Sequence, residues 1–398
     1  MSLPKAPHQI PREKAGTAPR LFWKHLLRSL PTIFVIAAAT FALDRLGFLD
    51  HFETAGLDTF NLLQSGKEAT DVVLLGINDE DYEDKQLFSG TSPLRCETVQ
   101  KIIEAIATGR PRVIGVDLDT SSPQFACLQI PDDWPPIVWA EDGIWDEKAK
   151  GFVEVRCLAG NGPARNRDEY GLARTPLDRS DGIARRYRRE LPLKNGGHIP
   201  SLPWAVLQAA AGAGCQKCQS AIDHAPHEPE RGLVLNFAGR RFADPLSVRY
   251  LLQIADTPGW RENGPLKDKI VLLGGYYWQA RDSLVTPIGS VPSLNIVSQA
   301  IETELRGGGI RPFNEAVAVV LDILGGILIV FINYRFHDRL GVALLFSLLA
   351  IPFVSLIGSF LAFSTLALWF NFVPVAISAL IHEFYDHARE YQRLRESH

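Results

Sequence analysis

Apolar positions along the chain form two kinds of run, and their contrast sets the reading of everything else. Residues 31–43 are apolar, broken by Asp44 and Arg45, and the run resumes at Leu46-Gly47-Phe48-Leu49. Residues 316–332, 340–363 and 366–380 are three further apolar runs joined by very short connections. A bilayer core takes roughly 20 mostly apolar residues as a helix. The first run is long enough if Arg28 and Arg45 extend towards the interfaces. A secretory signal peptide is the competing reading, because the apolar core is short and Ala37-Ala38-Ala39 supplies small residues. A long polar leader and the lack of a clean small-x-small site before the polar region favour an uncleaved anchor.

Between these zones the chain is polar, with short apolar runs that do not alternate. Residues 71–78, 112–118, 233–237 and 269–275 are nearly continuous Val, Ile and Leu. Such strands suit a parallel sheet covered on both faces by helices. Val99, Ile102, Ile103 and Ile106 recur at the spacing of one helix face, as do Val297, Ala300, Ile301 and Leu305. Strand and helix alternate, so the class is α/β. The expected architecture is an extracytoplasmic α/β domain with a largely parallel or mixed sheet, plus four transmembrane α-helices, one before and three after. The expected boundaries are a flexible basic leader over 1–25, spans at 26–49, 313–334, 339–363 and 365–385, the domain at 50–312, and a short tail at 386–398.

Charge orients this arrangement. Lys5, Arg12, Lys14, Arg20, Lys24 and Arg28 precede the first span, Arg335 and Arg339 separate the second from the third, and Arg389, Arg393 and Arg395 follow the fourth. All three basic regions fall on one side if the chain crosses four times. The positive-inside bias then makes both termini cytoplasmic and turns the large domain outwards. Hydrophobic residues make up 46% and charged ones 22% of the 398 residues, which fits neither a disordered chain nor an all-membrane transporter. A net charge of −4 gives no sign of nucleic-acid binding.

All five cysteines, Cys96, Cys127, Cys157, Cys215 and Cys218, lie in the outward domain. An oxidising compartment lets them pair, and an odd number leaves one over or bonded between molecules. Cys215-Gln-Lys-Cys218 is the tight spacing among them. With His224 and His227 it resembles a zinc half-site, but a disulfide or two free thiols is favoured, because one CxxC without a second ligand pair is a weak metal signal. No metal or cofactor is expected.

Acids stand at the carboxyl ends of the expected strands, where ligands gather in open α/β sheets. Asp79, Asp117 and Asp282 are the candidate ligand-binding positions on this ground. Helix caps and solvated turns are the ordinary alternative for such acids. On a strand through 185–189, Arg185, Tyr187 and Arg189 share one face and Arg186 and Arg188 the other. Edge protection or internal ion pairing is the favoured reading of that basic run over an anion, lipid or partner surface. Within the spans, Asp322 is an expensive ionisable group, and Gly325-Gly326 beside it permit close helix packing. A helix–helix contact at Asp322, Gly325 and Gly326 is preferred over a conduction path.

Several segments together carry a family resemblance. After the first span come VVLLGINDED (72–81), SPLRCETVQKIIEAIATGRPRVIGVDLD (92–119), LDRSDGIARRYRREL (177–191) and a PSLPWAVLQAA helix. LVLNFAG (233–239) and LKDKIVLLGGYYWQARDSLVTPIGSVPSLNIVSQAIETELRGG (266–308) follow, and then three spans. In order and membrane layout this resembles the CHASE type 2 domain, a bacterial cyclase/histidine-kinase-associated sensory extracellular module, over roughly residues 40 to 385. The resemblance implies an outward sensor whose last span normally runs into a cytoplasmic output domain. It points to Asp79, Asp117, Asp282, Thr286 and Pro287, and to Asp181, Gly182 and Arg185 in an Asp-Gly-x-x-Arg element. The chain departs from the pattern at Ser92-Pro93-Leu94, where a tryptophan/proline-rich stretch is usual, and at Ser293, where a glycine is expected.

No Walker loop, GxSxG, HExxH or cyclase or kinase signature is present, so a non-enzymatic protein is expected. Phe384, Ala388, Tyr391 and Arg395 have coiled-coil-like spacing over less than two heptads. The expected function is that of a membrane sensor subunit, lacking a fused output domain, that receives an extracytoplasmic signal and acts through a separate partner. A structural or assembly subunit using the domain as a docking module is the alternative, and a small channel is disfavoured. The expected partners are membrane lipid and a protein partner or second copy, met through the helices and the outer domain; the ligand is unknown.

Overall fold

The computed structural model describes residues 18–64, 71–157, 170–178, 181–229, 232–237, 244–257, 259–280, 282–336 and 345–396. Most of the basic leader lies outside them, as do residues 337–344, which take in the end of the basic joint and the start of the third apolar run. The chain forms two compact units, Asp58–Arg311 on the one hand and Met1–Leu57 with Pro312–His398 on the other.

In the unit Asp58–Arg311 the strands in chain order begin with β1 (Val72–Ile77), β2 (Val113–Asp117), β3 (Ile137–Asp146), β4 (Gly151–Cys157) and β5 (Tyr170–Leu172). Four short strands follow, β6 (Arg186–Tyr187), β7 (Glu190–Pro192), β8 (His198–Pro200) and β9 (Leu233–Val234), and then β10 (Leu246–Ser247), β11 (Ile270–Gly275), β12 (Ser283–Thr286) and β13 (Gly289–Pro292). Seven of them make one sheet in the order β10-β1-β11-β2-β3-β4, with β5 beside β3. All its pairings are parallel except β3 with β4, so the sheet is mixed.

The unbroken apolar runs of β1, β2 and β11 are explained by cores on both faces. Leu75, Ile77, Ile114 and Val116 pack with Val99, Ile102 and Ile106 of helix Cys96–Thr108 and with Leu251 of helix Val248–Ala255. Val72, Leu74, Val113 and Leu272 pack on the other side with Val206 of helix Leu202–Gly212 and Ile301 of helix Ser293–Leu305. Adjacent residues of one strand thus serve opposite cores, as the pleat requires.

One expected sheet strand lies elsewhere. Of 233–237, only Leu233 and Val234 are in a strand, and they pair antiparallel with β6 outside the main sheet. Leu235 and Phe237 instead join Ala184, Tyr187 and Ile296 in a separate small core. Gly232 makes this approach possible: its φ is +82°, and a Cβ there would lie 2.7 Å from the Tyr187 carbonyl oxygen.

In the other unit, Phe22–Arg45 and Ala316–Arg335 are long and apolar enough to cross a membrane. Ile351–Leu366 and Val373–Tyr385 are shorter apolar helical stretches; a π-helical turn, Phe346–Ala350, leads into the first. Leu26 and Ile33 pack on Val330, and Ile329 packs with Val375 and Ala379. Asp322 is buried and accepts a hydrogen bond from Thr40 Oγ1 at 3.1 Å. A Cβ at Gly326 would lie 2.9 Å from Ile33 Cγ2 and 3.2 Å from His382 Nε2, whereas at Gly325 the nearest atom is Val375 Cγ1 at 3.8 Å. Asn371 donates to Asp44 Oδ1 at 3.0 Å. Helix Val373–Glu396 runs through the heptad-like positions, and the side chain of Tyr391 lies outside the described residues.

Candidate functional site at the strand ends

The parallel strands β1, β11 and β2 lie side by side, so their carboxyl ends open on one edge of the sheet. The chain leaves β1 towards the core of helix Cys96–Thr108 and leaves β11 towards that of helix Ser293–Leu305, on the opposite face. In open α/β sheets ligands gather at points where connections part in this way.

Asp117 is the last residue of β2, in register with Gly274 of β11. Helix Ser293–Leu305 begins at this point, and its first residue joins two acids. Ser293 Oγ lies 3.4 Å from Asp117 Oδ2 and also hydrogen-bonds Asp282 Oδ2, while the Ser293 N–H donates to the Asp282 carbonyl at 2.9 Å. A hydroxyl carries one proton and cannot donate to two carboxylates at once. Both contacts are satisfied together when Asp117 is protonated and donates to Ser293, which in turn donates to Asp282. The electrostatics agree: burial, then the Asp282 charge, push the Asp117 carboxyl up to about 7, against the opposing pull of the Ser293 hydroxyl.

The turn after β11 completes the rim. Asp79 Oδ1 accepts the Trp278 N–H at 2.7 Å, tying the β1 end to this turn and leaving the Trp278 indole 83% exposed. Tyr276 hydrogen-bonds Asn295, and burial together with the Asp117 charge raises the pKa of its phenol. Tyr277 stacks on Tyr82 with centroids 4.2 Å apart. Below the rim, Asn78 and Asp81 form a capping box, and Asp81 accepts from Ser247 Oγ at 3.0 and 3.1 Å.

Two other sequence candidates have different surroundings. Thr286 is buried, donates to the Gly289 carbonyl at 2.6 Å and accepts from the Ile288 N–H, closing the β12–β13 turn. Arg185 is 1% exposed, and each of its nitrogens is engaged. Nε and Nη2 donate to the two Asp58 oxygens at 2.7 Å, Nη1 to Asp178 and Asp181 at 2.9 Å, and Nη2 again to Asp181 at 2.7 Å. Burial opposes its charge, and the three carboxylates outweigh burial and hold it protonated. Of the strand expected through 185–189 only Arg186–Tyr187 forms; Tyr187, in β6, and Arg189, in the bend beyond it, both turn inwards to Glu304.

Ser293 was legible only as a departure from a glycine, and its part in joining two acids is a matter of tertiary approach. Asp58 lies 127 residues from Arg185 in sequence and gave no local signal. The cysteines form two disulfides, Cys96–Cys127 and Cys215–Cys218, which removes both CxxC sulfurs from the zinc half-site. The side chain of Cys157 lies outside the described residues.

Among known protein families, the model described as CHASE2 domain matches residues 33–332. No curated protein and no solved structure matches the chain.

Proposed function

Since the chain belongs to the CHASE2 domain family, a family of sensory extracellular domains, we propose that it is a bacterial membrane sensor that takes its signal at the carboxyl ends of β1, β11 and β2. The observation that carries this reading is the Asp117–Ser293–Asp282 junction, with Asp79 and the exposed Trp278 at its rim. With both carboxyls ionised the single Ser293 hydroxyl cannot donate to the two of them, and an aromatic face attracts cations. A small ligand bearing an ammonium or another strong hydrogen-bond donor suits that combination. Binding it displaces the proton shared at Asp117 and fixes the start of helix Ser293–Leu305. Arg185 and Thr286 serve as the frame of the adjoining β12–β13 hairpin, since the Ala184 N–H donates to the Val285 carbonyl at 2.8 Å.

In this reading the chain crosses the membrane four times, with Ile351–Leu366 and Val373–Tyr385 as the third and fourth spans, both termini cytoplasmic and the domain outside. The basic residues before the first span, at Arg335 and Arg339, and after the fourth support it. The signal passes to a separate protein partner, reached through the helices or the outer domain, and no catalytic step is involved.

A melting-temperature screen of small amines and other cationic solutes on the detergent-solubilised chain tests the site. A stabilising ligand should lose its effect in Asp117→Asn and in Asp282→Asn. A shift that survives in the double variant would sink the assignment.

The alternative, an assembly subunit, is favoured by one feature. At the β3–β4 hairpin Ile144, Trp145 and Val153 are 56%, 39% and 45% exposed, an apolar edge of the sort used in docking. A stoichiometric partner that co-purifies with the chain and is lost on Ile144→Asp/Trp145→Ser would support that reading.

A further inference from the structure

Cys215 and Cys218 are bonded at the head of helix Gln216–Asp223, and their two sulfurs have unlike surroundings. Cys218 is fully buried, among the core residues behind the sheet, whereas Cys215 is partly exposed. Cys215 is the N-cap of the helix, and its Sγ accepts the Cys218 N–H at 3.2 Å. Both cysteines line a cleft of about 480 Å³. Two ion pairs stand on its wall: Lys217 with Asp71, and Arg112 with Asp268 at 3.4 Å.

Each feature bears on thiol–disulfide chemistry. Exchange depends on access to the attacked sulfur, and here Cys215 is the partly exposed member of the pair and Cys218 the buried one. A thiolate at Cys215 would meet an N–H donor and the positive end of the helix, the surroundings that lower a cysteine pKa. A bridge over two intervening residues restrains the unfolded chain far less than one closing a long loop. The paired cations and carboxylates of the cleft offer partners for both ends of a zwitterion.

We infer that Cys215–Cys218 is a thiol–disulfide exchange site for small zwitterionic thiols of the cysteine and glutathione class. A thiolate RS⁻ attacks Cys215 Sγ; the Cys215–Cys218 bond breaks, and Cys218 leaves as a thiolate that takes up a proton. A second RS⁻ attacks the sulfur of the bound R group, giving RSSR and releasing Cys215 as the thiolate. Two thiols are oxidised and one protein disulfide is reduced. This assignment is independent of the strand-end site.

The full chain in detergent, equilibrated with graded glutathione buffers, alkylated and mapped by peptide mass spectrometry, tests it. Cys215 and Cys218 should become reduced at a ratio at least tenfold less reducing than Cys96 and Cys127 require. With oxidised glutathione, Cys218→Ser should form the mixed disulfide at Cys215 several-fold faster than Cys215→Ser forms it at Cys218. Arg112→Ala/Lys217→Ala in the Cys218→Ser background should slow that capture several-fold while leaving capture from uncharged hydroxyethyl disulfide unchanged. Two disulfides that titrate together, or equal capture at the two positions, would overturn the site. Equal slowing of both reagents would overturn the zwitterion preference.

Discussion

Asp117 and Asp282 meet at a single hydroxyl, that of Ser293, although 165 positions separate them in the chain. The carboxyl of Asp117 is raised from 3.8 to about 7 in the folded chain, so the unfolded chain gives up this proton first as pH increases. Between those values the native state holds more protons, and stability falls as pH rises through the window and levels off above it. A tenfold change in proton affinity is worth roughly 1.4 kcal/mol; with part of the side chain meeting solvent, a net effect of about 2 kcal/mol is expected. Asp117→Asn should remove this slope. Melting temperatures of the two proteins from about pH 4 to about pH 8 give the check, and curves that stay parallel would refute the shared proton.

Arg185 should hold its part of the domain together through charge and shape at once. Its side chain is 1% exposed, while Asp58, Asp178 and Asp181 are 23%, 22% and 35% exposed, so the carboxylates keep some hydration if the arginine is lost. Removing one partner of a buried pair costs about 3–5 kcal/mol, and the lower end applies here. Arg185→Ala should therefore lose about 3 kcal/mol in urea unfolding of the solubilised chain. Arg185→Lys should recover less than half, because an ammonium cannot reproduce the fork on Asp58 while still reaching the other two acids.

Glu304 sets a contrasting case, buried on both sides of the contact. It is 2% exposed, accepts from Arg189 Nε at 2.7 Å and Nη2 at 3.0 Å, and takes the Tyr187 hydroxyl as well. Glu304→Gln removes the carboxylate that Arg189 grips and leaves it only the half-buried Glu228 as a nearby acid, at a cost of about 3 kcal/mol, the lower end for a broken buried pair. Arg189→Met/Glu304→Leu removes both charges, and the methionine side chain would keep the packing on Trp204, whose ring lies 5.0 Å from the native guanidinium. The double variant is expected to unfold at higher urea than either single one. A double variant as weak as Glu304→Gln would show that the charges themselves stabilise the fold.

The apolar runs made the sheet legible, since β1, β2 and β11 need two covered faces and their sequences show no alternation. LVLNF carried the same signal and lies outside the sheet, because a short apolar run does not say which core it enters; Gly232 and β6 decide that. Strand-end acids were legible as a class. Asp117 and Asp282 are distinguished from Asp79 only by Ser293, through a contact that depends on where helix Ser293–Leu305 begins. Arg185 was visible as part of an Asp-Gly-x-x-Arg element, but its partner Asp58, which takes Nε and Nη2 on its two oxygens, is brought to it by tertiary folding alone.

Gly325 and Gly326 look equivalent in sequence, and the helix packing separates them. A methyl group at Gly325 would find Val375 Cγ1 at 3.8 Å, an ordinary contact, whereas at Gly326 it would stand 2.9 Å from Ile33 Cγ2. Helix Ala18–Arg45 must yield in the second case, and the Thr40 hydroxyl, which bonds Asp322 at 3.1 Å, is carried on that same helix. Overpacking costs about 1–3 kcal/mol, and a hydrogen bond between membrane helices about 0.6–2 kcal/mol. Gly326→Ala should therefore lower the melting temperature of the solubilised chain clearly, Gly325→Ala hardly at all, and Asp322→Leu by an intermediate amount. Because Gly326→Ala strains the Thr40–Asp322 contact, adding Asp322→Leu to it should cost less than the two single losses combined. Fully additive losses would show that the glycine contact and the hydrogen bond act independently.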